Sequence, residues 1–193
     1  MATVVKSNLS DAPMVTNVIS EAFAADPTWC WAIPDLHSRR KYWELLIKNA
    51  FRYPYVLRTL NFEAVSVWIP PNCTEIAPEE EEGLPEFVES LVGERSTEVL
   101  ELLKMFDDNH PNSEPHYYLT LLGTRNKSRG HGLGMKLLNE SLKKIDAEKM
   151  PVYLESSNPI NNERYESVGF VAVNSFQAPG EGPIVTGMWR DSR

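Results

Sequence analysis

Two stretches of this sequence carry side chains whose types and spacing could do chemistry. The first is Arg129-Gly130-His131-Gly132-Leu133-Gly134, three glycines at alternate positions behind an arginine, opening an amphipathic run. Glycine lets a backbone approach a ligand closely. A helix start adds unpaired amides and a partial positive charge, so the pair makes an anion cradle best filled by phosphate. Arg129, with Lys127 or Arg125, would add charge-assisted bonds. A short glycine pattern is also a common structural turn at a helix start, and that reading stays open at this point. The second stretch is Tyr153-Leu154-Glu155-Ser156-Ser157-Asn158, with Asn161 just beyond. Glu155 would end a strand, where carboxylates line ligand crevices or simply face solvent. Asn158 and Asn161 would hold a ligand or cap a short helix. A Walker-type loop needs Gly-Lys-Ser/Thr, which is absent, and a dinucleotide fold would carry its glycine loop near the first strand, whereas this one comes late.

These residues need elements to position them. The span 116–122 reads as a buried strand, and 151–155 as another. Between them, after the glycine loop, Leu133, Leu137, Leu138, Leu142 and Ile145 mark one face of a helix. A short helix at 162–167 and strands at 170–176 and 184–189 finish the chain. In the first half, 3–6 reads as a strand and Asp11 as the N-cap of a helix with Pro13 in its first turn. Asp26-Pro27 breaks that helix, and the aromatic stretch 29–34 reads as loop. A second helix covers 38–52, and strands 55–60 and 64–69 form a hairpin. A third helical segment covers 85–106, interrupted at Gly93. The order β-α-α-β-β-α-β-α-β-α-β-β predicts an α/β domain with a mixed sheet of about six or seven strands.

Composition narrows the function classes. At 193 residues the chain suits one domain, 1–193. A net charge of −8 argues against nucleic acid as partner, because that needs a basic face, and it suits a cationic ligand. Residues 79–82 are four consecutive glutamates, either a solvated helix start or an acidic lip that attracts a cation. No apolar run reaches the roughly 20 residues of a membrane helix. The N-terminus lacks a signal-peptide core, so no membrane partner and a cytoplasmic location are expected. Cys30 and Cys73 show no metal-type spacing and are expected as free thiols, with no metal site.

Arg129, Gly132 and Gly134 resemble the Arg/Gln-x-x-Gly-x-Gly acetyl-CoA signature of the GCN5-related N-acetyltransferase (GNAT) family. Asn158 followed by Tyr165-Glu166-Ser167-Val168-Gly169-Phe170 resembles that family's second signature, in the expected order and spacing. The resemblance is strong over 117–171 and looser beyond. The segments 153–157 and 64–68 are similar to the puromycin-acetyltransferase-like branch. Thr124-Arg125-Asn126 departs from the pattern, being more polar than the valine and proline usual there. The resemblance implies acetyl-CoA as cosubstrate and acyl transfer to a primary amine of a small molecule by direct attack in a ternary complex, by a monomer or homodimer. It implies pantetheine slotted between two splayed parallel strands, 116–123 and 152–155. Backbone near Leu122, Gly123 and Thr124 would pair with it, and the amides of Gly130, His131, Gly132, Leu133 and Gly134 would hold the pyrophosphate. An amide at a bulge near Leu122 would stabilise the oxyanion, with Gly123 helping the strand to bulge. Tyr165 would protonate the departing sulfur; otherwise it is a core tyrosine. Tyr118 and Thr120 occupy the inward positions where some relatives carry a base, which leaves Glu155 as candidate base, with His116 too far back. The first half would form the acceptor side. A protein or peptide N-acetyltransferase, or a non-catalytic acyl-CoA-binding module, is the alternative.

Overall fold

The computed structural model describes residues 4–193, so Thr3 of the expected first strand lies outside the described residues. Seven strands form one sheet in the order β1-β2-β3-β4-β5-β7-β6. They are β1 Val4–Lys6, β2 Val56–Thr59, β3 Ala64–Ile69, β4 Tyr117–Thr124, β5 Val152–Ser156, β6 Val171–Gln177 and β7 Ile184–Arg190. Among the described residues only β4 and β5 pair in parallel; every other neighbour is antiparallel. The mixed α/β sheet read from the element order is therefore present. Eight helices flank it: α1 Ala12–Ala22, α2 Pro27–Ala32, α3 Leu36–Ala50, α4 Pro78–Glu81, α5 Leu84–Val92, α6 Ser96–Asn109, α7 Leu133–Ala147 and α8 Asn162–Glu166.

The sheet is covered on both faces, which explains why all six residues of β3 are buried. Alternation sorts them. Val65, Val67 and Ile69 join the core beneath α1, α3, α5 and α6, while Trp68 joins the one beneath α7 with Leu138, Leu142 and Met188. Gly93 ends α5 at φ +59, a left-handed conformation, and so splits the third helical segment in two. None of the helices among the described residues is long and apolar enough to cross a membrane.

Three local expectations need adjustment. Asp11 takes the N-cap position of α1, as expected, but its side chain makes no capping bond to that helix. Asn8 caps a short 3-10 turn ahead of it, and Asp11 completes that capping box by accepting the Asn8 amide at 3.1 Å. The stretch after Asp26 is not loop but α2. Asp26 is its N-cap, accepting the Trp29 amide at 3.1 Å, and Pro27 takes the first helical position, where a missing N–H costs nothing. Six residues cannot hold a helix by propensity alone, so packing does it. Trp29 stacks on Phe106 at 6.0 Å between ring centroids and meets Trp43 edge-on at 4.8 Å. Buried Arg39 then ties the ends of α1 and α2 together, donating to the carbonyls of Phe23, Ala24, Ile33 and Pro34. Finally, the irregularity in β4 falls at Thr120 rather than Leu122. Val67 pairs with Leu121 and Trp68 with Leu119, which leaves Thr120 as the extra residue. Gly123 lies in regular register with Val65. Its missing side chain serves packing, since a Cβ there would come within 2.9 Å of Ala22 and 3.0 Å of Ile19.

Candidate active site

Parallel pairing of β4 and β5 stops almost at once. Tyr117 pairs with Val152 and Tyr118 with Tyr153, after which the strands part. Beyond that point the β4 edge facing β5 has no strand partner, so its amides and carbonyls are available to an extended ligand. Two cavities open into the gap. One, of about 480 Å³, runs along the start of α7, and the other, of about 880 Å³, lies beneath α5 and α6. They share four walls: Phe23, Leu122, Asn161 and Tyr165. A group passing from one cavity to the other would pass Tyr165.

The smaller cavity is built by the glycine loop. Gly130 has φ +80 and Gly132, the N-cap of α7, has φ +69, and space is open where a Cβ would stand on either. Left-handed turns like these aim successive amides the same way and make an anion-binding concavity. Gly134 has a different job. A Cβ on it would sit 2.5 Å from the Thr124 hydroxyl, so its bare backbone lets α7 pack down on the end of β4. Leu122, Thr124, Arg129, Leu133 and Asn158 also line this cavity. Gly123 does not, being beneath α1, and the His131 side chain faces away with its Nδ1 3.0 Å from the Arg129 carbonyl. The Arg129 guanidinium donates to Ala22 O at 2.7 Å, and Arg125 to Phe62 O at 2.9 Å. Both cations that would hold phosphate are thus partly committed to bracing the loop. Asn158 caps the turn before α8 by accepting the Ile160 amide at 3.2 Å, and Asn161 accepts from Arg164 at 2.6 Å.

Tyr165 sits on α8 against Phe170. Burial, then the nearby Asp26 carboxylate, push its phenol up to about 12, so it keeps its proton at neutral pH. The same Asp26 accepts from the Ser157 hydroxyl at 2.8 Å, and Thr28 donates to the Ser157 carbonyl at 2.7 Å. The helix missed in the sequence is therefore what pins the end of β5, and with it Glu155.

Glu155 is the unusual group. Its side chain is 2% exposed and lines the larger cavity, with the Tyr118 and Tyr153 phenols as neighbours, and neither oxygen makes a well-aligned hydrogen bond among the described residues. Its nearest cationic candidate is His110, with Nδ1 3.5 Å away. The tautomers follow from the contacts. His116 Nδ1 lies 2.9 Å from Glu114 O, an acceptor only, so His116 donates there and leaves Nε2 as an acceptor. His110 Nε2, 2.9 Å from it, must then be the donor. His110 consequently turns its Nδ1 toward Glu155. Burial pushes His116 down, which keeps it neutral. Tyr118 flanks the pair, its phenol raised by burial and then by Glu155 and Glu75. Opposite stands Glu75, whose carboxylate accepts from Thr120 on the irregular step of β4. Burial chiefly, and then Glu155 and Asp107, push Glu75 up to about 7. His110 and Glu75 were not singled out from the sequence, because both lie in irregular segments without a motif. His110 is placed by the Asn109 carbonyl beside it, which accepts from Asn174 at 2.9 Å.

No family model matches the sequence. An uncharacterized N-acetyltransferase of Schizosaccharomyces pombe is 30% identical over 137 residues, which is 64% of this chain; the match spans 56% of that relative's length. Among solved structures, a Corynebacterium glutamicum protein described as histone acetyltransferase HPA2 and related acetyltransferase superposes with a TM-score of 0.73 at 24% identity, covering 100% of this chain and 98% of its own. A Drosophila melanogaster polyamine N-acetyltransferase, which forms N-acetylagmatine, superposes with a TM-score of 0.67 at 14% identity, covering 99% and 100%. With its parted parallel strands and the glycine-opened helix that follows β4, the chain has the fold of the GNAT acetyltransferases.

Proposed function

We propose that the protein is an acetyl-CoA-dependent N-acetyltransferase whose acceptor is a primary amine of a small molecule, acting as one domain with its first half on the acceptor side. The observation that carries this reading is the meeting of the two cavities at Tyr165, with an anion cradle on one side and a buried, unpartnered carboxylate on the other. Coenzyme A fits the residues present. The amides at Gly130–Gly134 suit its pyrophosphate, and the unpaired β4 edge suits its pantetheine amides. A buried carboxylate without partners suits an ammonium ion, since leaving it unpaired is costly.

Bound there, acetyl-CoA supplies an acetyl group activated as a thioester. Glu155 receives the ammonium group and takes one proton, with His110 Nδ1 beside it as the route onward. The freed nitrogen forms a bond to the acetyl carbon while the carbon–sulfur bond breaks. Tyr165 gives its proton to the departing sulfur and regains one as the new amide nitrogen sheds its excess proton. Backbone amides of β4 from Thr120 onward line the place where charge would gather on the carbonyl oxygen. Segment 153–157 supports a place near the puromycin-acetyltransferase-like branch, and the Drosophila neighbour supports an aliphatic amine as acceptor.

The test is amine-dependent thiol release from acetyl-CoA across a panel of small amines and N-terminal peptides. Release with small amines supports the reading. Release with peptides alone makes it a protein acetyltransferase, and coenzyme A binding without any release makes it a binding module.

A further inference from the structure

The larger cavity holds more negative charge than one ammonium ion answers. Glu155 and Glu75 lie at its floor, and exposed Glu81 and Asp107 stand at its mouth, on α4 and α6. Lysine and arginine are absent from its described walls. The contrast with the sequence neighbours is informative. Glu80 turns onto α3 and is paired with Lys48 at 2.5 Å and Asn49 at 2.7 Å; Asp108 turns outward and is paired with Lys104 at 2.5 Å. Glu81 and Asp107, one residue along in opposite directions, face the cavity and pair with no cation among the described residues. Burial chiefly raises the Asp107 carboxyl, His110 opposes that, and Glu155 and then Glu81 add to it. Such groupings of acid are often mere solvated surface, but here the cavity they guard ends on Glu155, whose side chain is 2% exposed and makes no well-aligned hydrogen bond among the described residues. Leu84, Leu103 and Phe106 give the cavity an apolar side.

Resting on the acetyltransferase reading, we propose that the acceptor is a dication, an aliphatic amine carrying a second cationic nitrogen, with the reacting nitrogen at Glu155 and the second held by Glu81 and Asp107 at the mouth. The apolar wall takes the methylene spacer, which has no polar need of its own. Glu75, held by Thr120 and with its carboxyl raised to about 7, adds only part of a charge to the floor near neutral pH. Residues 79–82 are thereby divided: Glu80 braces α3, and Glu81 is the lip.

The experiment compares 1,4-diaminobutane with n-butylamine at low ionic strength. One arm is thiol release at saturating acetyl-CoA; the other is titration calorimetry of each amine into the protein saturated with coenzyme A. The diamine is expected to exceed the monoamine by about tenfold in kcat/KM and in affinity. The Glu81→Gln, Asp107→Asn double variant, both sites exposed and tolerant, is expected to reduce that ratio by about fivefold, the scale of partly exposed ion pairs. Equal kcat/KM for the two amines, or a ratio unmoved by the double variant, overturns the dication assignment while leaving amine acetylation intact. If no amine or peptide of the panel releases thiol, the acetyltransferase reading fails by itself, and the calorimetric ratio still decides the subsite: a diamine that binds no better than the monoamine overturns it.

Discussion

Gly134→Ala isolates what the glycine loop needs. A Cβ at 134 would stand 2.5 Å from Thr124 Oγ1 but 3.9 Å from Thr124 Cβ, so the hydroxyl is the whole obstacle. Threonine is stiff at χ1, and moving its oxygen aside costs about 0.5–1.5 kcal/mol if a rotamer is open. If none is, α7 must rise from β4, and overpacking of that kind costs about 1–3 kcal/mol. For a chain of this length each kcal/mol is roughly 2–4 °C in Tm, so the variant should melt about 1–12 °C lower. Adding Thr124→Ala removes the obstacle. In that background Gly134→Ala should be neutral or stabilising by up to about 1 kcal/mol, because alanine favours helix. The assay is thermal unfolding of the four proteins in a double-mutant cycle, with coenzyme A affinity by calorimetry alongside. Rescue of both stability and affinity by Thr124→Ala is expected. Lost stability that Thr124→Ala does not restore would refute the packing argument. Restored stability with affinity still lost would mean that Gly134 serves ligand approach after all.

Further outcomes follow from the same geometry. Gly132→Pro forces φ to about −65° where the structure has +69°, so coenzyme A affinity measured by calorimetry should fall at least tenfold. Tyr165→Phe should lower kcat by about 10²-fold in thiol-release kinetics and leave the KM for acetyl-CoA nearly unchanged, since its proton is needed only as the sulfur departs. Glu155→Gln should cut kcat/KM for the amine by about 10²–10⁴-fold, most at low pH where amine deprotonation is hardest. For Glu75, burial raises the folded carboxyl from 4.5 to about 7, so its contribution to stability is present below pH 4.5 and is lost as pH rises through 7. Glu75→Gln should therefore raise Tm more at pH 8 than at pH 5, the difference amounting to about 1–3 kcal/mol.

The parts of this molecule legible in the sequence are those that local patterning controls. Helix α7 announced itself by Leu137, Leu138, Leu142 and Ile145, and the αL glycines by their place ahead of it. The parting of β4 and β5 came with the family signatures, not with any periodicity. What stayed hidden depends on contacts between distant residues. Asp26-Pro27 reads equally as a helix break or a helix start, and only Trp29 packing against Trp43 and Phe106 selects the start. The step in β4 at Thr120 is a property of its pairing with β3. Neither Glu75 nor His110 belongs to a motif; each reaches Glu155 because the chain folds back, 80 and 45 residues away in sequence. Gly134 was legible as a glycine that mattered, but its reason, the Thr124 hydroxyl, was not.

A crystal structure of the protein with coenzyme A tests the central claim most directly. The account predicts the pyrophosphate on the amides at the start of α7, the pantetheine arm along the β4 edge beyond Tyr118, and the sulfur within hydrogen-bonding reach of the Tyr165 hydroxyl, facing Glu155 across the shared wall of the two cavities. Coenzyme A bound outside the β4–β5 gap, or in the gap with its sulfur directed away from Tyr165, would contradict it.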